Sequence, residues 1–229
     1  MTSARTIPGS VRPIGVLGGT FDPVHIGHLR IALELLESAS LAEVRFVLAA
    51  RPPHRPAPKA SAELRLRMLE AAVADEPRFV VDRRELDRPG PSYTVDTLAS
   101  LAEEFPDASL CLLLGMDAFL GLPSWHRWPM HLELAHLVVA HRPGSRPPDD
   151  GPLGDLLRER LARSPAELSA SKAGRIHMQA VTPLDVSSTA IRTAVKAGKD
   201  PRYLVPDAVR RIILETECYA EKETEKAEG

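Results

Sequence analysis

The sequence predicts an α/β fold: a single doubly wound domain with a mainly parallel sheet flanked by helices. Three observations predict it. Short apolar runs alternate along the chain with longer runs whose apolar residues recur at helical spacing. At 229 residues, with 44% hydrophobic and 26% charged, the chain can bury one sizeable core and is too apolar for disorder. A glycine pair, histidines and a Ser-Ser-Thr run all fall just after strand-like runs, where parallel α/β sheets bind ligands.

The elements come in order. IGVLG (14–18) reads as a short buried strand, and HLRIALELLESA (28–39) as a helix with its apolar residues on one face. VRFVLAA (44–50) is a second strand, ended by RPPHRPAP, whose prolines predict a stiff loop. SAELRLRMLEAAVAD (61–75) reads as a helix with Ser61 as its N-cap. RFVVDRREL supplies strand three, and PSYTVDTLASLAEEF a helix beginning near Ser92 or Tyr93. SLCLLLG (109–115) is apolar throughout, as expected of a central strand, and a short helix follows MDAFLGLPSWHRW. LAHLVVAHRPG is strand five, RIHMQAV (175–181) strand six, and between them 144–174 reads as a surface excursion with a helix at GDLLRERLAR. Helices in DVSSTAIRTAVKAG and PDAVRRIILETE complete the domain, with Gly198 as a C-cap and Pro206 in a first turn. Strand–helix alternation implies right-handed crossovers and hence a Rossmann-like sheet. The domain is placed at 12–217, with a flexible tail at 1–11 and a charged one at 218–229.

Composition excludes several classes. A net charge of −2 gives no electrostatic pull toward nucleic acid or an anionic membrane. No apolar stretch reaches the ~18–20 residues of a membrane span, and no apolar leader opens the chain. The two cysteines, Cys111 and Cys218, make no disulfide framework, so a reducing cytoplasm is expected.

The chemistry concentrates in GGTFDPVHIGH (18–28). Gly18 and Gly19 are expected to turn the chain sharply and leave room for a ligand. The helix beyond offers free N–H groups and a positive dipole end, which suit phosphate. His25 and His28, at i and i+3, project near that end and can donate to phosphate oxygens. A zinc pair is the rival reading, but no third and fourth ligand stand at metal spacing nearby, so no metal site is assigned. Ordinary helix-start residues are the other. The glycines match neither G-x-G-x-x-G nor G-x-x-x-x-G-K-[ST], and Arg51 stands where a dinucleotide enzyme would carry an acid.

GGTFDPVHIGH resembles the signature of the H-x-G-H nucleotidyltransferases, and VSSTAIR (186–192) resembles their second signature. Within that superfamily the ordered set PPHR (52–55), REL with PSYTVDTL, GMDAF, PSWHRW and AHLVVAHRPG resembles the bacterial nicotinate-nucleotide adenylyltransferases, from about Ile14 to about Leu214. The resemblance implies transfer of AMP from ATP to nicotinate mononucleotide, releasing pyrophosphate, with Mg2+ on the ATP phosphates.

By that resemblance His25 and His28 contact the ATP phosphates, with Gly18, Gly19, Thr20 and Phe21 in the adjoining loop. Ser187, Ser188 and Arg192 come from the second helix start and serve the same polyphosphate. Simple N-capping remains the other reading of the serines, and a solvated charge that of Arg192. Asp22 is read as capping its own loop, and Asp117 as accepting ribose hydroxyls or capping a helix. Trp125 offers a flat face for the pyridine ring, with Trp128 as the core tryptophan. Tyr93 and Thr94 at a helix start, with His126, suit a carboxylate over a carboxamide. Arg55 and Arg142 are candidates for the 5′-phosphate, or else surface charges. Other acceptors, such as nicotinamide mononucleotide or phosphopantetheine, and a nucleotide-binding module without turnover, are the competing functions. The oligomeric state stays open, a homo-oligomer among the options.

Overall fold

A computed structural model describes residues 12–51 and 56–221. Its sheet has six strands in the order β3-β2-β1-β4-β5-β6, with every adjacent pair parallel. In chain order these are β1 (Ile14–Gly19), β2 (Glu43–Leu48), β3 (Phe79–Asp82), β4 (Leu110–Gly115), β5 (His136–His141) and β6 (Ile176–Ala180). Order reverses between β1 and β4, which makes the carboxyl ends of those two strands the switch point where a ligand is expected.

The helices are α1 (Ile26–Ser38), α2 (Ala62–Val73), the single turn α3 (Arg84–Asp87), α4 (Thr94–Glu104), α5 (Met116–Gly121), α6 (Met130–Leu134), α7 (Gly151–Arg160), the single turn α8 (Glu167–Ala170), α9 (Ser188–Lys196) and α10 (Asp207–Thr216). They cover both faces of the sheet, which explains the uninterrupted apolar strands. Alternate residues of β4 serve opposite cores. Cys111 and Leu113 pack with Leu35, Phe46, Met68, Ile191 and Ile213. Leu110, Leu112 and Leu114 pack on the other side with Leu98, Phe119, Leu137 and Leu157.

Four details depart from the expectations. RREL does not extend strand three: the Asp82 carboxylate accepts the Arg84 backbone N–H at 3.1 Å and its guanidinium at 2.7 and 2.8 Å, and the chain winds into α3. The segment expected as a surface excursion places Leu153, Leu157 and Leu168 in the core. It also closes the β6 edge, where Ala162 N–H donates to the Ile176 carbonyl at 2.7 Å. Ordered structure runs past 217, because Tyr219 is buried beneath the β1–α1 loop. Finally, Gly18 and Gly19 do not make the turn. Both belong to β1, paired with Val47 and Leu48, and the turn falls at Asp22 and Pro23, just after Phe21, whose φ is +45°.

Candidate active site

The aromatic ring two positions further on demands a glycine at position 19. A Cβ on Gly19 would sit 2.8 Å from the Phe21 ring, which folds back under the strand end into the core against Phe46 and His28. Gly18 faces open space instead. His25 is the N-cap of α1, and its ring stacks on that of His28 with centroids 3.7 Å apart and planes inclined 25°. A Cβ on Gly27 would press on the His25 ring at 3.1 Å, so the glycine between the histidines lets them meet.

His25 N–H donates to His28 Nδ1 at 3.3 Å, which puts the proton of a neutral His28 ring on Nε2. Burial pushes the His25 pKa down to about 4, so its imidazole is neutral at pH 7. The start of α1 is less open than a bare helix end: Ile26 N–H is taken by the Leu204 carbonyl at 3.1 Å and His28 N–H by the His25 carbonyl at 3.0 Å.

The start of α9 lies against this loop. Ser187 is the helix N-cap, its Oγ accepting Ala190 N–H at 3.1 Å. Ser188 Oγ donates to the Pro23 carbonyl at 2.9 Å. Arg192 donates to the Asp22 carbonyl at 2.7 Å and to Thr189 Oγ1 at 3.1 Å, and it remains partly exposed. The two sequence signatures thus form one site.

Asp22 does not cap its own loop. Its buried carboxylate accepts the backbone N–H groups of Lys59 at 2.7 Å and Ala60 at 3.1 Å, and the Tyr219 hydroxyl at 2.7 Å. It ties the β1–α1 loop to the chain beyond β2. Beneath lies Arg65, 1% exposed, whose Nη1 donates to the carbonyls of Thr20 and Ala49, both at 2.8 Å, at the ends of β1 and β2. Neither Arg65 nor Tyr219 stands out by motif. The available signal for Arg65 is periodicity, since it shares the buried face of α2 with Leu69 and Val73.

A second group gathers beyond β4. Tyr93, the residue before α4, lies against His126 with ring centroids 4.4 Å apart. Ser92 fastens this helix start to the end of β2, its Oγ accepting the N–H groups of Ala50 and Arg51, both at 3.2 Å. Thr94 opens α4. Trp125 is half-buried and meets His131 edge-to-face at 5.6 Å. Trp128 is half-buried on the same core, so burial does not separate the two tryptophans. Asp117 is exposed in the first turn of α5 and is not its cap, a place held by Gly115. Arg142 lies just past β5, exposed, with its guanidinium 3.4 Å from Asp185 just ahead of the second signature. Arg55, with His54, lies outside the described residues.

A parallel α/β sheet that brings a His-x-Gly-His helix start and a Ser-Ser-Thr-x-Ile-Arg helix start together at its switch point defines a nucleotidyltransferase. The family model described as cytidylyltransferase-like matches residues 16–194. A protein of Halorhodospira halophila named "Probable nicotinate-nucleotide adenylyltransferase" is 51% identical over 209 residues, covering 91% of this chain and 96% of that protein. One of the same name from Aeromonas hydrophila is 48% identical over 207 residues, covering 90% and 97%. The chain belongs to the nicotinate-nucleotide adenylyltransferase family. The solved structure of Plasmodium falciparum nicotinic acid mononucleotide adenylyltransferase complexed with NaAD shares the fold, with a TM-score of 0.69 at 15% identity, over 91% of this chain and 98% of that one.

Proposed function

We propose that this protein transfers AMP from ATP to nicotinate mononucleotide, giving nicotinate adenine dinucleotide and pyrophosphate. The observation that carries the reading is the union of the two helix starts, with Ser188 bonded to Pro23 and Arg192 to Asp22 across the sheet's switch point. An oxygen of the acceptor's 5′-phosphate forms a bond to the α-phosphorus of ATP as the bond to the β-phosphate oxygen breaks, and pyrophosphate leaves with that electron pair. The attacking phosphate is already anionic, so no general base is needed. The protein's work is alignment and stabilisation of charge.

His25, His28, Ser187, Ser188 and Arg192 hold the triphosphate, with the backbone of Gly18, Gly19, Thr20 and Phe21 against the nucleotide. Tyr93, Thr94, Trp125 and His126 form the wall for the nicotinate ring and its carboxylate, Asp117 takes ribose hydroxyls, and Arg142 with Arg55 serves the 5′-phosphate. Among the described residues no group of three or more His, Cys, Asp or Glu side chains is gathered to hold a metal ion. The Asp22 carboxylate is committed to three donors. Magnesium would therefore arrive on the ATP phosphates, held by their oxygens and water, and neutralise their charge. The cytoplasm is the proposed location: both cysteines are free, and among the described residues no helix is long and apolar enough to cross a membrane.

Pyrophosphate release from ATP and magnesium, compared for nicotinate mononucleotide, nicotinamide mononucleotide and phosphopantetheine, tests the proposal. Strong preference for the first is expected. Turnover with only another acceptor would overturn the carboxylate wall and keep the phosphate site. Silence with all three, in protein that binds ATP, would make it a binding module.

A further inference from the structure

The contact between Tyr219 and Asp22 joins residues 197 positions apart, and nothing in the phosphate chemistry itself calls for it. Both side chains are almost completely buried, Tyr219 at 6% and Asp22 at 4% exposed. Tyr219 is carried there by the turn that ends α10, where Glu217 adopts a left-handed φ of +49° and Ala220 N–H returns to the Glu217 carbonyl at 3.0 Å. The carboxylate it meets has two other donors, both backbone N–H groups. The nearest cation is Arg192, which donates to the Asp22 backbone carbonyl at 2.7 Å yet stops 3.9 Å from the carboxylate.

Resting on the proposed use of ATP, we propose that Tyr219 is a positioning residue of the phosphate site: its hydroxyl satisfies Asp22 and so leaves Arg192 directed at the incoming triphosphate. A buried carboxylate that loses a donor recruits another, and a charge-assisted bond to a guanidinium is the strongest replacement within reach. Without the phenol hydroxyl, Arg192 closes the remaining gap to Asp22 and withdraws from the nucleotide. The acceptor wall at Tyr93 and His126 is built on other elements and is untouched.

The test compares Tyr219→Phe with the parent chain. The readouts are equilibrium binding of a non-hydrolysable ATP analogue, KM for the acceptor and thermal midpoint. The expected result is analogue binding weaker by about tenfold, the scale of one hydrogen bond to a charged group, with acceptor KM unchanged. In an Asp22→Asn background, which lacks the charge that draws Arg192, the same substitution should cause no further loss. Unchanged analogue binding, or equal loss for both substrates, would overturn the proposal. If Tyr219→Phe does not fold, hydrogen exchange of residues 217–221 in the parent decides. The analogue should slow it, and unaltered exchange would overturn the latch. A parent that binds the analogue but releases no pyrophosphate with nicotinate mononucleotide would sink the functional reading alone, since the ratio of binding constants still judges Tyr219.

Discussion

Ser188 donates to the carbonyl of Pro23, 165 residues earlier in the chain, while its neighbour Ser187 turns back to cap its own helix. The two hydroxyls therefore do different jobs. Ser187→Ala should cost about 1 kcal/mol of stability, the usual value of a lost N-cap, in addition to its proposed triphosphate contact. Ser188→Ala should lower kcat/KM more than it lowers stability, because it unties the two phosphate-binding loops. Urea midpoints beside pyrophosphate assays separate the effects. Equal losses of stability from both variants, with activity intact, would contradict this division.

The stacked histidines give a second prediction. His25→Ala and His28→Ala should each reduce kcat/KM by roughly 10²–10³-fold, as for other preorganised donors to developing charge. Single-turnover rates should fall by as much, as the proposed contact of the rings with the transferring phosphates requires. A loss confined to acceptor KM would place them elsewhere.

Acid should destabilise the protein well above the usual carboxylate range. Burial lowers the pKa of His25 to about 4 and lowers those of His131, His136 and His177. Each favours its neutral form in the fold, so its contribution is complete above the unfolded value of about 6.5 and fades as pH falls. The bonding of His136 suits that neutral form: it accepts Arg175 N–H on Nδ1 at 3.0 Å while Nε2 meets the Ser171 carbonyl at 2.8 Å, an arrangement only the neutral ring satisfies. From pH 7.5 to 5, His25 alone should account for about 2 kcal/mol. Denaturant midpoints across that range measure the sum, and His25→Asn should remove its share.

Arg65 offers a structural counterpart. Arg65→Met should destabilise by roughly 2–4 kcal/mol, because the Thr20 and Ala49 carbonyls lose their buried donor. Arg65→Lys should recover part of that, as one ammonium cannot reproduce the guanidinium's reach. Calorimetric midpoints would rank the three proteins, and parity between Met and Lys would count against the bridge.

Tyr93→Ala removes the ring that lies on His126. KM for nicotinate mononucleotide should rise several-fold while KM for ATP holds, on the scale of a lost aromatic contact. Raised KM for both substrates would show that the two halves of the site are not independent.

The strand alternation was legible because both faces of the sheet are covered, leaving runs such as LCLLL with no polar interruption. The two signatures that the fold brings together were legible because their residues are unusual and closely spaced. What escaped was support supplied from a distance. Asp22 reads locally as a turn residue, and only folding shows it facing Lys59, Ala60 and Tyr219. The turn expected at Gly18 and Gly19 falls at Asp22 and Pro23. Gly19 answers a close ring approach, which carries no local signature. Tyr219 was hidden by the charged residues after it, which resemble a solvated tail.

The position of β1 inside the sheet has a consequence for how the chain is made. On the ribosome, β1, β2 and β3 emerge together and can pair, but the other edge of β1 waits for β4, and the α9 side of the nucleotide cleft waits longer still. Until then Pro23 and Asp22 face neither Ser188 nor Arg192. A nascent chain stalled before that point would hold the histidines without the groups that lock their loop, and would have little purchase on nucleotide.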